Sequence, residues 1–283
     1  TQFAQSLATP HIEIQHHHAH IAACMAENEL EPPLLGVAWD GTGYGPDGTI
    51  WGGEFFSVKE SCFERVAHLR TFQLPGGDAA VKEPQRCALG LLYEMLGDEA
   101  FAPDTPQPLK QMLSRGIQSP YTSSAGRLFD AVAALLDIRQ QASFEGQAAM
   151  ELEFAADPGI KESYPINVGE IVDWQPMIEA MRSDNAPIGV RAAKFHNTLA
   201  EAIVRVAGNV GETRVVLSGG CFQNKLLTER TVLRLREAGF RPYWHQRVPP
   251  NDGGIALGQV YAAAKMQQLN LGNVEHPRSS IER

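Results

Sequence analysis

The strongest constraint on the fold is an apolar run at residues 34–39, LLGVAW, which leads into an acidic, glycine-rich segment at residues 40–43, DGTG. A short continuous apolar run predicts a strand that is buried on both faces. The DG pair at residues 47–48 is a turn signal, and residues 49–58 predict the second strand of a hairpin. Residues 65–71 predict a weaker third strand. The sequence therefore places a three-stranded meander at the start of an α/β core.

Helical and strand patterns alternate over the rest of the chain. Apolar residues at helical spacing predict a mostly helical insertion at about residues 80–185. A helix, a strand, a helix, a strand and a final helix follow. Before residue 34 there is one strand candidate, at residues 11–15, and one helix, which Pro32-Pro33 ends. The sequence thus predicts one complete α/β unit, preceded by the last strand and helix of another.

Four histidines, His16, His17, His18 and His20, fall at the predicted junction of the first strand and helix. On a helix, His16 and His20 share one face, so both imidazoles reach a single cation. His17 and His18 point elsewhere. Such a pair also occurs as the polar start of an ordinary exposed helix, and a stable metal site needs three or four ligands. A metal centre on this helix therefore requires ligands from later segments.

Asp40 lies at the predicted end of a strand beside Gly41, Thr42 and Gly43. Glycines let the main chain approach a ligand closely, so the N–H groups of this hairpin can wrap phosphate oxygens. A carboxylate in that position suits a cation. An ordinary glycine-rich hairpin is the alternative, and Asp40 favours the functional interpretation.

A second glycine-rich junction, Gly219-Gly220, ends a short apolar strand, and a helical pattern begins at Cys221. Amide groups and the dipole at a helix start favour an anion. The segment lacks the Lys-Ser/Thr pair of a P-loop, which argues against an ordinary P-loop nucleotide hydrolase. Cys221 is either an activated thiol or a packed small residue, and the sequence favours packing.

Other candidate residues are less distinctive on local grounds. Gly126 and Asp130 lie one helical turn apart, where a small residue and an acid would admit a nucleoside and accept hydrogen bonds from ribose. A capped helix with a solvated Asp130 explains the pattern equally well. Glu145 lies at the start of another predicted helix. It is either a functional residue or only part of the polar face of that helix. Asp252 is again an acid at a glycine-rich junction.

The bulk composition excludes several classes of protein. A net charge of −9 over 283 residues argues against a general nucleic-acid binder, which carries a basic face. Four scattered cysteines without a CxxC pair argue against a disulfide framework and favour a reducing cytoplasm. The sequence shows no signal peptide and no apolar run near the roughly 18 residues of a membrane span. The first residue is not Met, and we expect a fragment of a longer polypeptide.

Four long segments carry a specific resemblance: QHHHAHIAACMAE at 15–27, SSAGRLFDAVAALL at 123–136, EGQAAMELE at 145–153 and LSGGCFQNKLL at 217–227. Together they resemble the C-terminal, TsaD-like carbamoyltransferase domain of the HypF family, which matures NiFe hydrogenases. The similarity runs from about residue 10 to residue 265.

The resemblance implies the ASKHA fold of sugar kinases and actin, in which two α/β units enclose a nucleotide. Residues 1–33 would then end the first subdomain, and residues 34–283 would form the second, with the helical insertion at about 80–185. The family carries a full first unit and acylphosphatase-like, zinc-finger and YrdC-like domains that this sequence does not include. The first phosphate hairpin is among the parts not included.

The resemblance also implies a reaction. In the family, a YrdC-like domain makes carbamoyl-adenylate from ATP and carbamoyl phosphate. The domain that this chain resembles binds the intermediate and passes the carbamoyl group to the C-terminal cysteine of the partner HypE, as the precursor of a cyanide ligand. No membrane is involved.

The family pattern implies roles for particular residues but assigns no catalytic side chain. A divalent metal, iron or zinc, would be held by His16, His20, Asp40 and Asp252. The nucleotide would contact Gly41, Thr42, Gly43, Gly126, Asp130, Glu145, Gly219, Gly220 and Asn224.

Two other interpretations remain open. The chain is alternatively a relative with another acceptor, either the hydroxyl of a small molecule or tRNA, and the acidic charge weakens the tRNA case. It is alternatively a metal- or nucleotide-binding module without catalytic activity.

Overall fold

The computed structural model describes residues 11–60 and 62–274. The helices, α1 to α10, are His16–Glu27, Ala79–Lys82, Pro84–Leu96, Gln107–Arg115, Ala125–Leu135, Gln147–Ala155, Gln175–Ser183, Ile188–Val210, Lys225–Glu237 and Ile255–Val274. The strands, β1 to β9, are Leu34–Tyr44, Ile50–Lys59, Cys62–Leu69, Phe72–Gln73, Tyr121–Thr122, Asn167–Val168, Ile171–Asp173, Arg214–Ser218 and Arg241–Trp244. Short 3₁₀ turns cover Gly97–Ala100, Gly220–Gln223 and Asp252–Gly254.

The strands form one mixed sheet in the order β6-β7-β3-β2-β1-β8-β9, and β5 joins it through β2. The meander β1-β2-β3 is antiparallel, as the sequence predicts. Strands β8 and β9 then add in parallel beside β1. Parallel neighbours need crossover connections: α9 connects β8 to β9, and α8 leads the chain back into β8 after the other strands. The carboxyl ends of β1 and β8 therefore lie side by side.

Strand β1 is buried on both faces, which explains its nearly continuous apolar sequence. Leu35, Val37 and Trp39 face the larger hydrophobic cluster, with the helices α5 and α8. Leu34 and Ala38 face a smaller cluster, to which α1 contributes Ile21, Cys24 and Met25. The first helix and the central helices thus pack on opposite sides of the same strand.

The acidic, glycine-rich segment is not the hairpin turn that the sequence predicts. Residues 40–43 continue β1 as far as Tyr44, and the pairing with β2 shifts register between Trp39 and Gly43. The chain reverses later, where the Gly45 N–H donates to the Thr49 carbonyl over 3.0 Å. Position 43 requires glycine in this strand, because a Cβ there would lie 2.3 Å from the His17 ring. The prediction that the DGTG segment forms the turn is therefore wrong, while the contact of Gly41, Thr42 and Gly43 with a phosphate stays a prediction.

The predicted strand at residues 11–15 does not form, because no strand pairs with these residues in the described part of the chain. Gln15 instead caps α1, and its side-chain oxygen accepts from the N–H groups of His17 and His18. Residues 1–10 of the predicted first segment lie outside the described residues. No helix within residues 11–60 and 62–274 is long and apolar enough to cross a membrane.

Helices α1 and α10 cross at very short range through Gly258. A Cβ at this position would lie 1.8 Å from the Ala19 carbonyl oxygen, so only glycine allows the contact. This contact matters for the site described below, because α1 begins with the histidine cluster.

We predict that Gly258→Ala lowers the free energy of unfolding by about 1–3 kcal/mol, the usual cost of overpacking. The added methyl group must push α10 away from α1. Gly208→Ala in α8 is the matched control, because a Cβ there meets nothing within 4 Å, and it should stabilise the chain by about 0.5–1 kcal/mol. Urea unfolding measures both values, and equal effects of the two substitutions would contradict the packing argument.

Candidate metal centre and adjoining cleft

The first turns of α1 present two imidazoles on one face. The cap formed by Gln15 fixes the start of the helix, and His16 and His20 then follow four residues apart. Their Nε2 atoms lie 3.2 Å from each other. His20 is buried and His16 is partly exposed, so the pair lies at the edge of the interior.

Two acids complete the cluster. Asp40 Oδ2 lies 3.0 Å from His16 Nε2 and 3.2 Å from His20 Nε2. Asp252 Oδ1 lies 3.5 Å and 3.6 Å from the same two atoms. Asp40 is buried at the β1 bulge, and the exposed Asp252 begins the 3₁₀ turn before α10. All four ligand atoms lie within 4.8 Å of one another. The structure thus brings together the four residues that the sequence predicts as ligands.

The donor set fits a divalent cation. Ligand atoms at about 2.0–2.1 Å from a tetrahedral metal are roughly 3.3 Å apart, which is close to the separations found here. Two imidazole nitrogens and two carboxylate oxygens, with no thiolate, suit zinc or iron and do not distinguish between them. Metal binding itself stays a prediction.

The charges of the cluster are mutually stabilised. Burial alone would raise the pKa of Asp40, but hydrogen bonds and charge from His16 and His20 hold it far below its usual range. Burial alone would lower the pKa of His16, but Asp40 and then Asp252 raise it overall. Asp40 is therefore a carboxylate at neutral pH, which is the form that binds a cation.

Asp40 also joins the cluster to the second glycine-rich junction. Its Oδ1 accepts a hydrogen bond of 3.1 Å from the Gly220 N–H. Gly219 has a φ of +103°, and a Cβ there would lie 2.2 Å from the Trp39 carbonyl oxygen. Only glycine allows this approach, so the loop after β8 lies directly against the strand that carries Asp40.

A cleft of about 290 Å³ opens beside this loop. Its walls include Glu145, Gly220 and Asn224, which are three of the predicted nucleotide contacts, and also Cys221 and Phe129. The volume is near the lower end of the usual range for small-molecule sites. The cleft adjoins the metal cluster through Gly220.

The structure gives Asn224 a role in the fold. Its Oδ1 accepts from the Leu227 N–H and caps α9, which begins at Lys225 and not at Cys221 as the pattern predicts. Its Nδ2 lies 2.9 Å from His196 Nε2. Burial lowers the pKa of His196 to about 4, so this ring is neutral and can accept that hydrogen bond.

Gly126 and Asp130 are buried on α5. A Cβ on Gly126 would lie 2.8 Å from Gly41 Cα, so this glycine lets α5 pack directly on the β1 bulge. Asp130 Oδ2 lies 3.0 Å from Arg127 Nη2, and each of these side chains is 4% exposed. Burial raises the pKa of Asp130 to about 6, while Arg127 opposes the shift. The ribose contact stays a prediction, and the carboxylate faces Arg127 in this structure.

Arg127 is a residue that the sequence reasoning missed. Its Nε and Nη1 are buried without a hydrogen-bond partner among the described residues. A Cβ on Gly41 would lie 3.6 Å from Arg127 Nη2 and 3.8 Å from Glu145 Oε1. A guanidinium thus lies under the glycine segment and beside Glu145. The signal in the sequence is an Arg three residues before Asp130 in a helix that is otherwise apolar.

A buried carboxylate, Glu54, lies behind the cluster and was also missed. It accepts from the N–H groups of Gly52 and Gly53 and from the Ser123 hydroxyl. His17 Nε2 lies 3.8 Å from Glu54 Oε2, and both side chains are fully buried. Burial raises the pKa of Glu54 to about 7 and lowers that of His17 to about 3. His17 is therefore neutral, and it packs behind the ligands.

Three of the remaining predicted residues lie in the irregular end of β1 that follows Asp40. Gly41 is half-buried, Thr42 is exposed, and Gly43 is buried against His17.

Cys221 has a thiol whose pKa is raised well above its usual value by burial. A thiolate is the reactive form of cysteine, so this environment favours the packed-residue interpretation.

Comparison with known proteins identifies the family. Residues 36–259 match the carbamoyltransferase Kae1-like domain, second subdomain, and residues 1–27 match the HypF Kae1-like domain. The chain belongs to the HypF carbamoyltransferase family. It is 44% identical to the carbamoyltransferase HypF of Rhodobacter capsulatus, over 94% of this chain and 37% of that protein. It is 41% identical to the HypF of a Synechocystis strain, over 94% of this chain and 39% of that protein.

Solved HypF structures share the fold. The crystal structure of full-length HypF in the phosphate- and nucleotide-bound form superposes with a TM-score of 0.88 at 40% identity, over 94% of this chain and 45% of that chain. The structure of T. kodakarensis HypF gives a TM-score of 0.82 at 32% identity, over 94% and 38%. These matches confirm the predicted α/β fold and are consistent with the ASKHA architecture. The chain spans about two fifths of the length of these curated HypF relatives.

We predict that the chain binds one divalent ion and that His20→Ala or Asp252→Asn abolishes tight binding. Loss of a direct ligand should cost more than the roughly 10- to 100-fold that loss of an outer partner costs. His18→Phe is the control, because His18 lies on the same helix but stacks on Phe63, with ring centroids 4.6 Å apart. Elemental analysis and chelator competition measure the binding. Unchanged stoichiometry in the ligand variants would remove the assignment.

We predict that Glu54 makes the folded chain less stable as the pH rises. Its pKa is about 7 when folded, against an ordinary 4.5, so the folded state holds the extra proton between these values. The stabilisation is full below about pH 4.5 and is lost as the pH rises through 7. Its upper limit is about 3 kcal/mol. In Glu54→Gln, which keeps an oxygen for the backbone donors, this part of the pH dependence should disappear.

Urea unfolding at several pH values between 4 and 8 tests this prediction. Glu60→Gln, at an exposed position, is the control and should retain the pH dependence of the original chain. Parallel curves for the original chain and Glu54→Gln would show that Glu54 is not the titrating group.

Proposed function

We propose that this chain binds carbamoyl-adenylate and transfers its carbamoyl group to a cysteine thiol, as the acceptor domain of a HypF-type enzyme. The observation that carries the proposal is the hydrogen bond between Asp40 and the Gly220 N–H. It couples a cluster of four metal-type ligands to the wall of a cleft lined by Glu145, Cys221 and Asn224. Metal and nucleotide would therefore meet at one point.

Different residues of the chain would bind the phosphate, the nucleoside and the metal. The phosphate of the adenylate is expected beside the loop of Gly219 and Gly220, where no side chain blocks its approach to the candidate metal centre. The nucleoside would occupy the cleft beside Glu145. An iron or zinc ion held by His16, His20, Asp40 and Asp252 would supply Lewis-acid stabilisation at a phosphate or carbamoyl oxygen.

The transfer is an acyl-type substitution. The acceptor sulfur attacks the carbamoyl carbon, so a C–S bond forms. The bond between that carbon and the phosphate oxygen breaks, and AMP leaves with the electron pair. The thiol proton is released to solvent. The carbamoyl-adenylate itself would come from ATP and carbamoyl phosphate through a separate adenylate-forming domain.

The acceptor is proposed to be the C-terminal cysteine of HypE. Cys221, although it lines the cleft, is not suited to carry the carbamoyl group, because burial raises the pKa of its thiol. The net charge of −9 disfavours tRNA as the acceptor.

The test supplies preformed carbamoyl-adenylate and a peptide with the HypE C-terminal sequence to the metal-loaded chain. Mass spectrometry should show one added carbamoyl group on the peptide. The same peptide with Ser in place of its terminal Cys should stay unmodified, because the hydroxyl is the poorer nucleophile. His20→Ala should reduce the transfer strongly, and His18→Phe should leave it close to that of the original chain.

Two results would redirect or overturn the proposal. Modification of a small-molecule hydroxyl or of tRNA, but not of the peptide, would favour a relative with another acceptor. Binding of the adenylate with no transfer to any acceptor would leave a binding module without catalysis.

A further inference from the structure

Three buried side chains form a hydrogen-bonded relay outside the four predicted ligands. His245 Nδ1 lies 2.7 Å from Glu27 Oε2, and His245 Nε2 lies 2.9 Å from Ser218 Oγ. The side chains of Glu27 and His245 are 3% and 2% exposed, and Ser218 is fully buried. We name this set the Glu27–His245–Ser218 relay.

The hydrogen bonds of the relay have one consistent order of donors and acceptors. Glu27 Oε1 accepts from the backbone N–H groups of Gln246 and Arg247, over 3.0 Å and 2.6 Å. Burial alone would raise the pKa of Glu27, but these donors and His245 lower it overall, so Glu27 is charged. A carboxylate only accepts, so His245 donates from Nδ1 and accepts the Ser218 hydroxyl at Nε2.

This order of groups is that of a serine-nucleophile triad, but burial excludes that role. A nucleophile must meet its substrate, and Ser218 has no exposed surface. It also lies at the end of β8, inside the sheet. The relay therefore acts on the position of the chain segments that it joins.

Those segments are the ones that carry the candidate metal centre. Glu27 ends α1, about two helical turns beyond His20. Ser218 ends β8, immediately before the loop in which the Gly220 N–H holds Asp40. His245 begins the loop that leads to Asp252, and this loop contacts β8 again where the Gly219 N–H donates to the Pro250 carbonyl over 3.0 Å.

We propose that the Glu27–His245–Ser218 relay is a positioning device that holds α1, the glycine loop and the Asp252 loop in the arrangement that binds the metal. The proposal rests on the proposed function, because the metal centre is part of it. It assigns roles to three residues that touch neither metal nor substrate. The relay would fix the positions of the segments that carry the ligands, as hydrogen bonds outside the ligand set do in metal sites generally.

The test compares His245→Phe and Ser218→Ala with Thr198→Val. His245→Phe keeps a ring but removes both nitrogens. Thr198 is also fully buried, and its hydroxyl bonds the Tyr164 N–H and the Lys194 carbonyl, so Thr198→Val removes comparable hydrogen bonds elsewhere in the core. Co²⁺ affinity is measured by chelator competition at a temperature where every variant is folded. Hydrogen exchange of residues 245–254 is measured on the metal-free chain.

We expect His245→Phe to weaken Co²⁺ binding by about 10- to 100-fold, with unchanged stoichiometry. Exchange in residues 245–254 should rise in the same variant without metal. Ser218→Ala should show both effects more weakly, and Thr198→Val should stay close to the original chain in both. Glu27→Gln is a rescue variant: its amide can donate to His245, which then donates to Ser218, so the contacts persist in the reverse direction. It should therefore keep most of the affinity.

The outcomes separate this inference from the proposed function. Unchanged affinity and exchange in His245→Phe would overturn the relay and leave the metal centre intact. Equal losses in His245→Phe and Thr198→Val would show general destabilisation and would also overturn it. An original chain that binds no Co²⁺ would overturn the metal centre, and with it the positioning role proposed here.

Discussion

The arrangement of the site depends on one buried carboxylate, that of Asp40. A buried charge is costly unless it is paired and hydrogen-bonded. The two oxygens of Asp40 have different partners. Oδ2 faces the imidazoles of His16 and His20, and Oδ1 accepts from the Gly220 N–H. Helix α1 and the loop after β8 must therefore meet at the end of β1. The charge of Asp40 determines which segments come together.

Glycines make that meeting possible, because each stands where a side chain would collide with the backbone. Gly126 lets α5 contact the β1 bulge at Gly41, Gly219 lies against the Trp39 carbonyl, and Gly258 lets α10 cross α1. These contacts surround β1 on several sides. The glycine-rich segments thus serve close packing around Asp40 as much as they serve approach to a phosphate. The lack of a side chain at Gly220 also leaves space for a ligand where this residue borders the cleft.

The sequence predicts the features that depend on local rules. An apolar run predicts β1, and helical spacing places His16 and His20 on one face. Only the family resemblance assigns Asp40 and Asp252 to the same metal site as His16 and His20, because no local sequence pattern relates two acids so far apart. Contacts such as Glu54 with Ser123 and Asn224 with His196 could not be predicted, since they depend on how distant segments pack. The DGTG segment has the composition of a turn, but its glycines serve close packing: Gly43 lies against the His17 ring, and Gly41 lies against Gly126 of α5.

An acidic chain would need a local positive region to bind the proposed anionic adenylate. The net charge of −9 describes the whole surface, whereas binding depends on the potential in the cleft. Arg127 supplies a guanidinium beneath Gly41, with two nitrogens that lack partners among the described residues. Asp130 pairs with this guanidinium over 3.0 Å, and because its raised pKa of about 6 still lies below 7, it is mostly charged and offsets much of the charge of Arg127. A divalent ion at Asp40 would add a cation beside Gly220 at the edge of the cleft, so an acidic exterior is compatible with the proposed anionic substrate.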